Sequence, residues 1–323
     1  MRVLLVGQHD KWDWADNSGP SLIRRAGETL GHSFVSSFCE EPHVVLFVDW
    51  HKSMRHELSL ANTRRIPTIL IKYEPSVVIP GNRSDAVDAF FSKTIEVGRP
   101  EALPQVKWPQ TTWNLEYFDS QSRVERVVAI NANKYSCVRG ELYSLRSMTF
   151  THFSEVDVYG TEWTRSKTRN VLKFLREFVI ALDYRNDSGV SLACASAITK
   201  APRNYLGSPT NKRETLSHYT SSLVIENSSE YMTEKLFDSL LSGTIPIYVG
   251  PAVHKFGIPP LLVVQSGSTL EDIQGSIGLA LSMDHEKWKE QTRKWLTSPG
   301  VQEAWDARFS SRKVFEVAEA LSL

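Results

Sequence analysis

The densest set of groups able to do chemistry in this chain is Glu226-Asn-Ser-Ser-Glu-Tyr-Met-Thr-Glu-Lys235. It lies between the short run Ser222–Ile225, read as a strand, and an apolar stretch of helical period, so the spacing predicts a strand-loop-helix junction, with the helix over 231–241. Ser228 or Ser229 is expected to cap that helix, whose free N–H groups and positive dipole end favour an anion. Met232, Leu236, Phe237, Leu240 and Leu241 fall on one buried stripe, which leaves Tyr231, Glu234, Lys235 and Asp238 on another face. Lys235, one turn into the helix, is placed to meet a phosphate bound at its tip. The competing reading is an ordinary capped helix whose Glu and Lys face solvent. Gly243-Thr-Ile-Pro-Ile-Tyr-Val-Gly250 then returns as a strand ending in glycine, which lets a ligand approach the backbone closely.

These groups need elements to position them. Short apolar runs alternating with helix-compatible stretches give the pattern of a parallel α/β sheet. In the first part, strands are expected at Arg2–Gly7, His43–Trp50 and Pro67–Tyr73, and a helix at Ser18–Leu30. In the second, strands are expected at 126–130, 156–159, 222–225 and 245–249, and helices at 139–147, 168–182, 231–241 and 270–283. The Pro- and Trp-rich stretch from about Gly98 to Ser122 reads as the connection, so the expected domains are 1–122 and 123–323, the second closed by C-terminal helices. Residues 183–212 read as a polar surface excursion. Two such domains bind ligands at the carboxyl ends of their strands, in the cleft between them.

Composition narrows the class of function. With 323 residues, 41% hydrophobic and 23% charged, the chain is an ordinary folded protein of about two domains. Its 37 basic and 37 acidic residues cancel, so no global field draws in nucleic acid or anionic lipid, and any phosphate recognition is local. Three scattered cysteines, Cys39, Cys137 and Cys194, make no disulfide framework, and reduced thiols in a cytosol are the simplest reading. Neither a signal peptide nor a membrane span is expected, since no apolar run approaches the roughly 20 residues needed. The expected location is the cytoplasm, in solution or peripheral at the inner membrane face.

Residues 225–250, IENSSEYMTEKLFDSLLSGTIPIYVG, resemble the hallmark segment of the family 10 glycosyltransferases, the α-1,3/4-fucosyltransferases. That segment reads approximately F-E-N-S, a short gap, Y-V-T-E-K, and later I/V-P-I/V-Y/V-x-G. Further family landmarks follow in order: Glu74 after an N-terminal strand, Asn131-Ala-Asn133 followed by Arg139, and Val156-Asp-Val-Tyr-Gly160. The resemblance is strong over about residues 125–260. It implies a GT-B fold, two Rossmann-like domains facing across a cleft, and an inverting, bacterial-type enzyme that transfers L-fucose from GDP-fucose to a hydroxyl of a glycan acceptor.

Carried over position by position, the resemblance assigns Arg139 and Lys235 to the donor pyrophosphate, Asn227 and Tyr231 to nucleotide and phosphate contacts, and Glu234 to the sugar or ribose. Glu74 aligns with the family's proposed general base. An inverting transfer needs one carboxylate to take the acceptor proton, and basic groups to meet the charge growing on the departing diphosphate. No metal is expected: the chain lacks an Asp-x-Asp motif, Asp10, Asp13 and Asp16 have the wrong spacing, and Asp284-His-Glu286 lies in a helical region. Trp12 and Trp14 follow the first strand, where their faces could stack on an acceptor sugar or simply pack. A family relative using another nucleotide sugar, and a catalytically silent nucleotide- or glycan-binding protein, are the alternatives. The acceptor and the oligomeric state are open.

Overall fold

The computed structural model describes residues 1–7, 19–83, 85–97, 113–120, 122–163, 171–172, 175–176, 178–179, 202–302 and 312–322. They form two compact units, Met1–Gln110 with Pro299–Leu323, and Thr111–Ser298.

The first unit holds β1 (Arg2–Gly7), α1 (Gly19–Thr29), β2 (Ser33–Val35), β3 (Val44–Val48), α2 (Arg55–Thr63), β4 (Thr68–Lys72), α3 (Asp85–Asp88) and β5 (Lys93–Glu96). Its sheet is parallel in the order β2-β1-β3-β4-β5. Every residue of β3, Val-Val-Leu-Phe-Val, is buried, because a central parallel strand is covered on both faces. Val44, Leu46 and Val48 meet Ile69, Ile71 and Ile23 on one side, while Val45 and Phe47 meet Leu70, Leu58 and Trp50 on the other. Each such side chain contributes roughly 1.5–3 kcal/mol through burial. A short β2, three residues long, lies outside β1, where the sequence period gives no strand.

The second unit holds β6 (Val124–Ile130), α4 (Tyr143–His152), β7 (Val156–Tyr159), α5 (Lys212–Ser217), β8 (Tyr219–Ile225), α6 (Lys235–Leu241), β9 (Ile245–Val249), β10 (Val264–Gln265), α7 (Leu270–Ser282) and α8 (His285–Leu296). Its sheet is again parallel, ordered β10-β9-β8-β6-β7. Arg123 ties the incoming chain to this unit by donating to the carbonyls of Phe118, Tyr219 and Ser242 at 2.9–3.0 Å.

Three expectations change. The last helix, α9 (Arg312–Ser322), does not close the second domain: Val314, Phe315 and Ala318 enter the core of the first sheet beside Ile23 and Ala26. The helix expected at 139–147 begins only at Tyr143, because residues 138–141 form a turn. The helix expected at 231–241 begins at Lys235. Residues 203–207, within the expected surface excursion, are exposed or half-buried but ordered along the free edge of β7, with Val158 N–H on the Asn204 carbonyl at 2.8 Å and Leu206 N–H on the Val158 carbonyl at 2.9 Å. Most of the helix expected at 168–182, and residues 183–201, lie outside the described residues.

Candidate functional site

The sequence cluster collects at the carboxyl end of β8. Glu226, one residue past the strand, is fully buried. Its Oε1 accepts from the Thr233 N–H at 2.8 Å and the Tyr248 hydroxyl at 3.2 Å, and its Oε2 accepts from the Thr233 hydroxyl at 2.6 Å. Burial first, and then the Glu226 charge, push the Tyr248 hydroxyl well above its ordinary pKa, so the phenol stays a donor. Lys235 Nζ donates to Thr233 Oγ1 at 2.8 Å and lies 3.7 Å from Glu226 Oε2. Lys235 thus keeps 17% of its side chain exposed on a base of buried acceptors.

This anchoring explains the shortened helix. Glu226 captures the Thr233 N–H, and Ser228 bridges to Tyr231 and accepts the Glu230 N–H at 3.3 Å, so residues 228–233 form a tight turn. Neither Ser228 nor Ser229 caps α6, and Glu234 at the cap position makes no side-chain cap bond. Lys235 is the first helical residue rather than one turn in, and Tyr231 is buried rather than displayed. Asp238 is buried as well, paired with Lys212 at 2.8 Å and Arg213 at 3.2 Å. The close approach expected at Gly250 is filled from within the protein: a Cβ there would lie 2.7 Å from the Tyr248 ring and 2.8 Å from Glu226 Cγ.

Arg139 is brought to the same place by the backbone. It is exposed on the turn 138–141, whose Gly140 carbonyl accepts the Ser229 N–H at 3.4 Å, while Glu141 bridges to Ser228 and Leu142 N–H donates to the Asn227 carbonyl at 3.0 Å. Asn227 Oδ1 accepts from Arg146 Nη2 at 3.2 Å. Gly160, with φ 142°, lets β7 end against Asn131, since a Cβ there would lie 1.8 Å from the Asn131 carbonyl oxygen.

Two basic residues of the site escape the sequence reading. Arg146 on α4, 2% exposed, donates to the carbonyls of Ile225 at 2.7 Å and Glu226 at 3.1 Å and lies 5.0 Å over the Tyr143 ring. Burial lowers its pKa. Its signal is a lone arginine on the stripe Tyr143, Arg146, Ser147, Phe150, all of it buried. Lys212, the first residue of α5, follows a capping Asn211 and pairs with Glu234 at 3.2 Å. Burial raises the Glu234 carboxyl, but Lys235 and then Lys212 outweigh it and bring its pKa down to about 2. Lys212 and Lys235, with Asn131, Ser222 and Asp238, line a cavity of about 20 Å³, in which the buried Asn131 Oδ1 and Ser222 Oγ have no hydrogen-bond partner.

Glu74 belongs to the first unit, two residues beyond β4 and half-buried. Its main-chain N–H donates to Asp49 Oδ1 at 3.1 Å and its carbonyl accepts from Asn82 Nδ2 at 2.8 Å. Asp49 and Asn82 had no place in the sequence reading. Trp12 and Trp14 lie outside the described residues. Among the described residues, no three His, Cys, Asp or Glu side chains converge to hold a metal ion, and no helix is long and apolar enough to cross a membrane.

The two parallel-sheet, Rossmann-like halves in series are the GT-B class of fold, and solved structures of that class resemble the chain over most of its length. One is an α1,3-fucosyltransferase, 13% identical over 92% of this chain and 81% of its own, with a TM-score of 0.50. Another is the Anabaena protein HepE in complex with UDP and glucose, 11% identical over 100% of this chain and 99% of its own, with a TM-score of 0.54. The sequence matches no family model.

Proposed function

We propose that the protein is an inverting glycosyltransferase that transfers L-fucose from GDP-fucose to a hydroxyl of a glycan acceptor. The observation that carries this reading is the backbone union of the Arg139 turn with Asn227–Ser229, which gathers the residues of the family 10 pattern around one strand end. There the exposed Arg139 offers a planar fork, Lys235 an ammonium and Asn227 an amide, a donor set suited to a diphosphate. As the sugar carbon passes through an oxocarbenium-like state, Arg139 and Lys235 meet the negative charge growing on the leaving GDP. Glu74 takes the proton of the acceptor hydroxyl. Glu234, held ionised between Lys212 and Lys235, accepts hydrogen bonds from the fucose or the ribose.

A second reading, another nucleotide sugar on the same site, is favoured by the likeness to HepE, whose structure holds UDP and glucose. Calorimetric titration of GDP, UDP, GDP-fucose and UDP-glucose separates the two. Binding of the guanosine compounds alone is expected; preference for the uridine compounds replaces the donor, and binding of none removes the enzymatic reading. With basic side chains at the diphosphate, turnover is expected to survive EDTA. Loss of turnover that Mg²⁺ or Mn²⁺ restores would show that a carboxylate site holds a cation.

A further inference from the structure

We propose that Asp49 and Asn82 are positioning residues that act through Glu74, an inference that rests on Glu74 being the general base. Both lie at the carboxyl end of the first sheet. Asp49 directly follows β3, and its φ of 53° is a left-handed conformation that few non-glycine residues adopt. Such a backbone persists only where its surroundings over-determine it. Here one carboxylate oxygen, Asp49 Oδ1, accepts from the Tyr73 N–H at 2.8 Å, the Glu74 N–H at 3.1 Å and Asn82 Nδ2 at 2.7 Å, and the Asp49 N–H donates to the Ile71 carbonyl at 2.9 Å.

Asn82 completes the clamp from the other side. It is 3% exposed, its Oδ1 accepts from the Trp50 N–H at 2.7 Å, and its Nδ2 reaches both Asp49 and the Glu74 carbonyl. The neighbouring Gly81 lies so close to Trp50 that a Cβ would come within 2.1 Å of the Trp50 carbonyl oxygen. Asn82 is therefore pressed against the end of β3 with both ends of its amide satisfied. The two side chains hold the main chain of Glu74 at its donor and at its acceptor, and none of these bonds uses its carboxylate. The backbone that carries the carboxylate is thereby fixed to the ends of two central strands.

A general base must stand within hydrogen-bond reach of the proton it takes, and a displacement near 1 Å costs up to about 100-fold in rate. The test is a cycle of Asn82→Ala, Glu74→Gln and the double variant in the full chain. It reads nucleotide release from GDP-fucose and UDP-glucose, with a mixed glycan acceptor and with water, beside GDP affinity and melting temperature. Asn82→Ala is expected to lower kcat about 10–100-fold with GDP affinity and KM for donor nearly unchanged. In the Glu74→Gln background the same substitution is expected to cost less than about threefold, because the group it positions is gone. Equal cost in both backgrounds makes Asn82 a structural residue and overturns the proposal, as does normal kcat in Asn82→Ala. Near-normal turnover in Glu74→Gln alone overturns the base reading itself, a result independent of Asn82, and a wild-type chain that releases nucleotide from neither sugar overturns both. Where Asn82→Ala does not fold, the isosteric Asn82→Asp, which keeps the acceptor for the Trp50 N–H and removes the donor to the Glu74 carbonyl, enters the same cycle with the same two outcomes.

Discussion

The two strand ends that carry the candidate chemistry hold their groups by different physics. In the first unit Glu74 is fixed through its main chain, by the side chains of Asp49 and Asn82. In the second unit the groups are fixed through charge: Lys235 stands over Glu226, Lys212 is shared between Glu234 and Asp238, and Arg213 pairs with Asp238. A hydrogen-bonded main chain sets direction and is indifferent to the charge on the side chain it presents. A network of buried charges sets electrostatic potential and fails when one member is removed, because its partner is left uncompensated.

The comparison predicts unequal damage from single substitutions. The largest effect is expected at Glu74, where Gln keeps size and hydrogen bonding but not basicity: turnover falls about 10²–10⁴-fold while GDP affinity and melting temperature hold. Kinetics beside calorimetry check this, and a loss of folding in that variant would place Glu74 in the structural framework with Asp49. Removing Glu226 from the second region acts on stability instead. Glu226→Ala strands Lys235 and three donors over a fully buried position, and unfolding by denaturant is expected to show a loss of about 3–5 kcal/mol at unchanged slope. Lys235→Ala, on the exposed side of the same pair, is expected to weaken GDP by about 1.5–3 kcal/mol, the worth of a charge-assisted hydrogen bond. Equal GDP affinity in wild type and Lys235→Ala removes Lys235 from the diphosphate site.

The same contrast explains what the sequence shows and what it hides. Parallel strands buried on both faces read as unbroken apolar runs, so β3 and β9 are legible, and with them the strand ends where ligands bind. Short edge strands such as β2, Ser-Phe-Val, carry no such run. Local signals also mislead where a distant group intervenes: Ser228 and Ser229 look like helix caps, yet Glu226 takes the Thr233 N–H and delays the helix to Lys235. Arg146 meets the Ile225 carbonyl 79 positions away, and Asn82 meets Trp50 at a separation of 32. Pairings across such distances leave no period in the sequence. The return of α9 to the first sheet is hidden for the same reason, since its apolar face fits either unit until the fold selects one.

The smallest expected effect sharpens the contrast through pH. Glu234 is pulled down to about 2 by Lys235 and Lys212 against its own burial, from an ordinary carboxyl value near 4.5. A carboxylate depressed in the folded state adds stability that is fully present above its unfolded pKa and is lost as pH falls through the folded value. The loss therefore runs from about pH 5 down towards pH 2. Since 39% of the Glu234 side chain is exposed, water screens the pairing and reduces the contribution to about 1 kcal/mol. Urea midpoints measured at pH 6 and pH 3 are expected to fall less in Glu234→Gln than in wild type, because the variant has no proton to take up at this position. The remaining acid sensitivity, carried by other carboxylates, is common to both chains and cancels in the difference. Identical falls in the two would mean that Lys212 is held by Asp238 alone, and that the second region keeps Glu234 ionised without drawing stability from it.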